Sequence, residues 1–531
     1  MSESETPEPE IGGRYAKYAL FVLVLVYIVN FIDRQILSIL AEDIKRDIGI
    51  SDAQIGFLYG TAFAVFYAIF GIPLGRLADV WVRKSLISAG LFFWSFMTAL
   101  SGTARNFGSL ALFRFGVGIG EASATPAAFS MLSDYFSPNV RATALSIYSS
   151  GIYIGAGIGT FLGGMIIDGW NSAYPEIASA PFGFKAWQVA FFVVGLPGIF
   201  LAFWVRTLRE PIRGQSEGLS SSTHPEPFKA AFQELMSVLP PFTIYNLYRA
   251  GGIRAVSWNL VFLCLVVLLA LLLIEVTGNV AQWSALGIGV FSALSWVQNI
   301  RLRDFPTYSM IFRCKTMICL CWGMPCIAFV TYGIGFWGPS YMMRMHGLSA
   351  SEVGIFLGLG AALGGWFGVT LGGILSDLLR TRSVNGRLYI ILAVPILSAP
   401  VAYLFVTTEN VVTAYVCSFL FSMFSPMWTG PAATTLNDLL LPRMRAISSA
   451  FYIMMITFIG LALGPYLIGF ISDQLASAGA ESGEALGQAM TYALGMLGVA
   501  SLFILAALRF LPDDQATRLD RARAAGEVDL A

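Results

Sequence analysis

Charge is scarce in this chain. Asp, Glu, Lys and Arg make up 12% of its 531 residues, about half the share of a soluble domain. That shortage excludes a string of soluble domains, the first expectation for such a length. The 32 basic residues balance 32 acidic ones, so no net charge points to a nucleic-acid partner. Histidine is limited to His224 and His346. Both fall in predicted loops, which excludes a histidine relay across a membrane. The six cysteines (Cys264, Cys314, Cys319, Cys321, Cys326 and Cys417) sit in or beside apolar stretches without metal spacing. They are expected as buried free thiols, and no metal site is expected. A P-loop, a GxSxG elbow and an HExxH are all missing. Gly155-Ala-Gly157-Ile-Gly159 is rich in glycine but lies in an apolar span, where helix packing accounts for it. Neither an enzyme nor a bound cofactor is expected. The stretch from Ser2 to Glu10 is acidic, unlike the basic start of a secretory signal.

What is abundant is apolar surface. Hydrophobic residues make up 56% of the chain, with 54 Gly, 41 Phe, 20 Tyr and 12 Trp, and the mean hydropathy is +0.71. This is an all-α polytopic membrane protein. Segments of about 20 apolar residues, enough to cross the hydrocarbon layer, run near 18–40, 53–78, 84–104, 107–133, 142–168 and 187–207. Two more lie near 256–276 and 280–300, and six near 315–343, 351–378, 387–407, 411–437, 446–472 and 487–510. The middle pair is a spanning hairpin or a re-entrant or surface one. Lys and Arg set the orientation. With the amino terminus inside, 25 fall in inside loops and tails, against Lys45, Arg46, Arg105, Lys185 and Arg344 outside. The positive-inside rule then puts both termini in the cytoplasm, in what reads as a bacterial inner membrane.

The expected organisation is a tail (1–17), a six-helix bundle (18–207), a linker (208–255), the hairpin (256–300), a short linker (301–314), a second six-helix bundle (315–510) and a tail (511–531). In the long linker Phe228, Phe232, Leu235 and Leu239 recur at helical spacing, as an interfacial amphipathic helix or a plain linker helix would show. The bundles repeat each other. Gly75-Arg-Leu-Ala-Asp79 recurs 298 positions on as Gly373-Ile-Leu-Ser-Asp377, and Asp134-x3-Pro138-x2-Arg141 recurs 304 positions on as Asp438-x3-Pro442-x2-Arg445. Internal repeats of this kind are the build of alternating-access transporters. Glycines recur every fourth residue at Gly151, Gly155, Gly159 and Gly163, and again at Gly360, Gly364, Gly368 and Gly372. Such ladders let helices approach closely, either as fixed packing or as a face along which bundles rock.

The loop Gly75-x-Leu77-x-Asp79-x3-Arg83-Lys84, with its echo in the second half, resembles the signature loop of the major facilitator superfamily. It departs at Val82, where a glycine normally stands. Arg114-x3-Gly118 resembles a further motif of that superfamily. Asn30-Phe-Ile-Asp33-Arg34, Gly118-Ile-Gly120-Glu121-Ala122-Ser123, Phe92-Phe93-Trp94-Ser95 and Trp337-Gly-Pro339 are similar to the Spinster family. The resemblance implies a major facilitator fold of two pseudo-symmetric six-helix bundles, here with an extra hairpin (12+2). It also implies transport of sphingosine-1-phosphate or lysophospholipids.

Asp33, Arg34, Arg114 and Glu121 lie well inside spans. A charge there costs about 2.5–3.5 kcal/mol on insertion scales, so it is expected to be paired or working. Arg114 and Glu121 are seven apart on one helical face. The neighbours Asp33 and Arg34 point about 100° apart, so one can face a cavity while the other reaches another helix. The 304-residue offset maps Arg114 to Ser418 and Glu121 to Ser425, so the second half lacks these charges. Asp33 or Glu121 is expected as the proton site. Arg34 and Arg114, with Asn30 of the resembling motif, are expected at an anionic headgroup or in coupling. Asp79 with Arg83, Lys84, Asp134 and Arg141, and Asp377 with Arg380 or with Asp438 and Arg445, form a cytoplasmic gate or are solvated loop charges. Gly75 and Gly373 open those motifs. Tyr148, Tyr153, Tyr332, Phe336, Trp337, Tyr341 and Tyr452 are candidates for an apolar cavity wall, or are packing. The expected function is a proton-coupled secondary transporter of an anionic amphiphilic lipid, acting as a monomer in the bilayer. A symporter of a small organic anion is the alternative, ahead of a channel or passive scramblase.

Overall fold

The computed structural model describes residues 11–217 and 225–527. The acidic stretch from Ser2 to Glu10, His224 and the last four residues of the tail lie outside the described residues. Helices carry the fold throughout. The first bundle is built from α1 (Arg14–Ile48), α2 (Asp52–Val80), α3 (Arg83–Ser101), α4 (Phe107–Glu121, resuming as Ala124–Tyr135), α5 (Pro138–Ala173) and α6 (Ala186–Arg206). The linker holds α7 (Pro227–Val238), and the hairpin is α8 (Phe242–Thr277) with α9 (Val280–Arg303). The second bundle comprises α10 (Lys315–His346), α11 (Ala350–Arg380), α12 (Gly386–Thr407), α13 (Val411–Asp438), α14 (Pro442–Ser477) and α15 (Ser482–Ala516). Among the described residues twelve of these stretches are long and apolar enough to cross a membrane, the two hairpin helices included. The remaining two of the fourteen expected, α3 and α4, carry more polar residues; α3 packs against α4 and α6 and exposes Phe92, Phe93 and Phe96.

Both glycine ladders turn out to be fixed seams inside the bundles. A Cβ at Gly155 would stand 2.4 Å from the Ile28 carbonyl of α1, and Gly151, Gly159 and Gly163 also face α1. Gly364, Gly368 and Gly372 face α13, where a Cβ at Gly368 would stand 1.9 Å from the Met423 carbonyl. A different set of glycines crosses between bundles. Gly157 of α5 lies against Gly358 of α11, with 2.4 Å from its would-be Cβ to the Gly358 carbonyl, and Gly164 lies against Ala350. On the opposite flank Gly56 and Gly60 of α2 abut Pro465 and Leu461 of α14. There α14 runs as a π-helix over Ile456–Ala462, a local widening that leaves carbonyls free for other partners. Thr61 Oγ1 donates to the Ala462 carbonyl at 2.9 Å.

The hairpin is longer than expected. Its first helix begins at Phe242 and breaks at Gly252 (φ 64°, ψ −161°), a conformation open to glycine but strained for other residues. The inner helix α9 packs against α2, α7 and the π segment of α14, while α8 packs outside it. Leu265, Leu268, Leu269, Leu271 and Leu272 of α8 are exposed, as a lipid-facing helix requires. Asn259 of α8 donates to Ser295 Oγ (2.9 Å) and Gln298 Oε1 (3.1 Å) of α9, tying the hairpin together. The amphipathic linker helix forms, with Val238 buried and Phe228 and Phe232 exposed. His346 ends α10 instead of lying in a loop. Five of the six cysteines are buried; Cys264 on the outer hairpin helix is exposed.

Candidate functional site

The four charges expected within spans meet in two ion pairs. Asp33 and Arg34 diverge around α1. Arg34 Nε donates to Glu121 Oε2 of α4 at 2.6 Å. Asp33 turns the other way, accepts from Thr98 Oγ1 of α3 and lies 3.6 Å from Arg114 Nη1. Asp33, Arg114 and Glu121 are buried, whereas the Arg34 side chain keeps 16% of its surface exposed. The guanidinium of Arg34 sits over Phe63 (4.2 Å), Phe31 (4.9 Å) and Tyr67 (5.0 Å), contacts that favour a cation. Hydrogen-bonding capacity is left over. Glu121 Oε1, Asp33 Oδ1, Arg114 Nε and Nη2, and Asn30 Oδ1 have no hydrogen-bond partner among the described residues.

The Gly-Ile-Gly-Glu run makes this approach possible. A Cβ at Gly118 would stand 2.6 Å from the Phe63 carbonyl of α2, and one at Gly120 would stand 2.8 Å from Trp94 Cβ of α3. Two missing side chains thus let α4 press between its neighbours and bring Glu121 to α1. The helix then breaks at Ala122 and Ser123.

A cavity lies between the bundles, with about 1210 Å³ of space not filled by atoms, part of it open to solvent. Arg34 and Gln35 supply its polar side from α1. Gln35 Nε2 donates to the Gly335 carbonyl of α10 at 3.1 Å. Pro339 has no N–H to offer the carbonyl four residues back, so the Trp-Gly-Pro run leaves that oxygen for the other bundle. The second-bundle wall is apolar at Ile334, Pro339, Leu357, Phe405, Phe421 and Leu461 and carries hydroxyls at Thr331, Ser418, Ser422 and Ser425.

Of the seven wall candidates, Tyr153 and Tyr332 line this cavity; the other five are packed elsewhere. Tyr148 stacks on Tyr27 at 4.3 Å, and Phe336 stacks on Tyr59 at 4.3 Å. Trp337 Nε1 donates to the Pro465 carbonyl and Tyr341 to that of Val406, each at 2.8 Å. Tyr452 is buried beside Trp428. The residues missed were Phe31, Tyr59, Phe63 and the α13 serines. For Ser418 and Ser425 a signal existed, because the 304-residue offset makes them the counterparts of Arg114 and Glu121.

One end of the molecule carries the basic loops, and there the motif charges stay within their own bundle. Arg83 is buried and binds Asp134, Glu210 at 2.8 Å, Ser130 Oγ and the Pro211 carbonyl. Lys84 donates to the Leu208 carbonyl at 2.6 Å, and Arg141 donates to Ser216 Oγ at 2.9 Å. Asp79 is exposed at the end of α2; among the described residues it makes no hydrogen bond to that cluster but feels the charges of Arg76, Arg213 and Arg83. In the second half the cation is Arg387, which binds Asp438 and lies 3.8 Å from Asp377. The expected partners point elsewhere, Arg380 to Gln515 and Arg445 to the Asn437 carbonyl. Arg387 is Arg83 moved by the same 304 positions, so the repeat that located Asp438 also located its partner. A Cβ at Gly75 or Gly373 would meet nothing within 4 Å.

The far end is closed by contacts between bundles that the sequence did not reveal. Arg344, at the end of α10, binds Asp52 through two nitrogens (2.7 Å each) and Glu42 (2.9 and 2.7 Å). Lys45 and Ser472 also bind Asp52. Asp473 of α14 accepts from the Asp52 and Ala53 N–H groups at 3.0 and 2.8 Å, capping α2 from the opposite bundle. Ser351 N donates to Asp168 at 2.7 Å.

Just past the hairpin, Asp304 pairs with Arg443, at the start of α14, at 2.9 Å. Burial pushes the Asp304 carboxyl up, but hydrogen bonds from Arg443 and Thr307 outweigh it and hold it below the usual carboxylate range.

Comparison with known proteins agrees with this architecture. The family model described as Major Facilitator Superfamily matches residues 23–465. An MFS-type efflux pump of Mycolicibacterium smegmatis is 26% identical over 464 residues, covering 87% of this chain and 86% of its own. A probable L-galactonate transporter of Escherichia coli is 30% identical over 209 residues, 38% of this chain and 43% of its own. A solved bacterial homolog to the human lysosomal transporter Spinster, inward-facing and unoccupied, matches at a TM-score of 0.69 with 26% identity. That match covers 94% of this chain and 98% of the other.

Proposed function

Because this chain belongs to the Major Facilitator Superfamily and is similar to Spinster, we propose that it is a proton-coupled carrier of an anionic amphiphilic lipid, working by alternating access. The lysophospholipids and sphingosine phosphates are the candidate class. The observation that carries this reading is the two-sided cavity. Arg34 faces it with both terminal nitrogens free of hydrogen-bond partners among the described residues, and the opposite wall is largely apolar. An anionic headgroup gains charge-assisted hydrogen bonds at Arg34, and an acyl chain gains the apolar wall.

Coupling follows from competition for Arg34. A headgroup that takes the guanidinium removes the cation beside Glu121. The uncompensated buried carboxylate then takes up a proton and becomes a neutral acid. Asp33, held by Arg114 and Thr98 behind it, is the second acceptor, and the two titrate as one unit. The Arg83–Asp134 and Arg387–Asp438 pairs brace the loops that meet when the basic end closes, and the open face at Gly75 and Gly373 is where the bundles would touch. The proposed orientation puts the basic loops and both termini in the cytoplasm of a bacterial inner membrane, with the chain acting as a monomer and not as an enzyme.

A small organic anion is the second reading, favoured by the named substrate of the galactonate relative and by the single cation in the cavity. Proteoliposomes separate the two. A fluorescent lysophospholipid should accumulate with an imposed proton gradient, and Asp33→Asn or Glu121→Gln should uncouple that flux. No lipid flux under any gradient, with uptake of small hydroxy acids, would replace the lipid reading by the second one. Flux that ignores the gradient in all three proteins would remove the proton.

A further inference from the structure

The two-sided cavity also restricts the headgroup, on the premise that the ligand is the anionic amphiphile just proposed. Among the described residues a single charged one, Arg34, lines the cavity, and no carboxylate does. Glu121 is fully buried with one oxygen spent on Arg34, and Asp33 is buried on the other side of α1. A ligand ammonium would therefore give up water without gaining an anionic side chain in return.

Aromatic faces offer only partial compensation: of the lining rings, Tyr332 and Phe421 have no ring or cation contact among the described residues. Phe31 and Phe63 already carry the Arg34 guanidinium. Tyr59 is stacked on Phe336, and the Tyr153 ring lies against Gly365 of α11. An ammonium needs several free faces around it to be held by rings alone.

Hydroxyl groups are better served. Ser418, Ser422 and Ser425 stand at i, i+4 and i+7 on α13 and all line the cavity. That spacing puts them on one helical face. Ser425 is buried and hydrogen-bonded to Thr331 at 2.6 Å. Ser418 and Ser422 are half-buried and make no hydrogen bond among the described residues. Each can donate and accept, which suits a neutral hydroxyl.

We infer that Ser418 and Ser422 are specificity-determining residues, selecting anions whose second polar group is a hydroxyl over those carrying an ammonium. The favoured class is a single-chain lipid with a phosphate and a glycerol-like head. The disfavoured class has a choline or amine head, which takes the sphingosine phosphates, as amines, out of the candidate class.

The test measures binding of lysophosphatidylglycerol and lysophosphatidylcholine, matched in acyl chain, to the purified full-length protein. The glycerol head should bind at least tenfold more tightly. Ser418→Ala with Ser422→Ala should weaken the glycerol head about tenfold and leave the choline head within about twofold, since two neutral hydrogen bonds together account for about a tenfold loss. Ser418→Thr with Ser422→Thr keeps both hydroxyls and should restore the glycerol-head affinity, which separates recognition from a packing defect. Equal binding of the two heads to the unchanged protein overturns the inference and leaves the lipid reading in place. So does an alanine variant that weakens both heads alike. If neither lysolipid binds while galactonate does, the lipid reading and this inference fail together.

Discussion

Arg344→Gln should open the far end. The Arg344 side chain is 7% exposed and holds Asp52 and Glu42 of the first bundle from the last turn of α10 in the second. Breaking a buried pair on one side costs about 3–5 kcal/mol, because the other charge is left uncompensated. Here Asp52 keeps Lys45 and Ser472, so a loss of about 2–3 kcal/mol is the better figure by the same principle. These bonds join different bundles and exist only while the far end is closed. Their loss therefore falls on one side of the conformational equilibrium, shifting it about 30- to 150-fold toward the far-end-open state. Distances between spin labels read this shift. Arg46→Cys on α1 and Ser477→Cys on α14 place exposed labels in the two bundles, and Cys264→Ser removes the exposed native thiol. The variant should gain a longer-distance population that the parent lacks. A folded variant with an unchanged distance distribution would refute the lock.

Three further outcomes follow from neighbouring geometry. Gly358→Ala puts a Cβ 2.6 Å from the Gly157 carbonyl and should slow transport with little loss of thermal stability. Gly155→Ala, clashing within the first bundle at 2.4 Å, should instead lower the melting temperature. Arg83→Gln strips a buried cation from Asp134 and Glu210 and should destabilise the first bundle by about 3–5 kcal/mol; Arg387→Gln, at a half-exposed pair, should cost about 1 kcal/mol or less, both read from thermal unfolding. The depressed Asp304 carboxyl contributes stability that is present above its unfolded value near 4 and is lost as pH falls through the folded one. Asp304→Asn should therefore be less stable than the parent at neutral pH by at most about 1 kcal/mol. That gap should close as thermal unfolding is repeated toward pH 3.

Much of this architecture was legible because the membrane simplifies the code. Length and hydropathy mark the crossings, and two loop motifs 298 and 304 positions apart mark the repeat. Buried charges were legible for a related reason, since Asp33, Arg34, Arg114 and Glu121 are too costly in hydrocarbon to be incidental. Wall residues were harder. In a soluble helix polarity separates the faces, but here lipid-facing and core-facing sides are both apolar, so Phe336 and Trp337 gave no sign that they pack away from the cavity. The glycine ladders were ambiguous for a similar reason. Spacing shows that a neighbour comes close but not which neighbour, and Gly155 faces α1 while Gly157 faces Gly358. The far-end lock escaped because Glu42, Lys45, Asp52 and Arg344 lie at helix ends, where charge is ordinary, and nothing local pairs residues some 300 positions apart.

The hairpin also breaks a symmetry. Two flanks join the bundles, α2 with α14 and α5 with α11, and in the repeat they are equivalent. Because α9 touches α2 and the π segment of α14 at once, with Gly289 wedged between Val65 and Phe458, one flank is sheathed and the other is bare. Any tilting of one bundle on the other must carry α9 along or shear it across that glycine. The bilayer thus meets one flank through a third element and the other, the α5–α11 seam, directly.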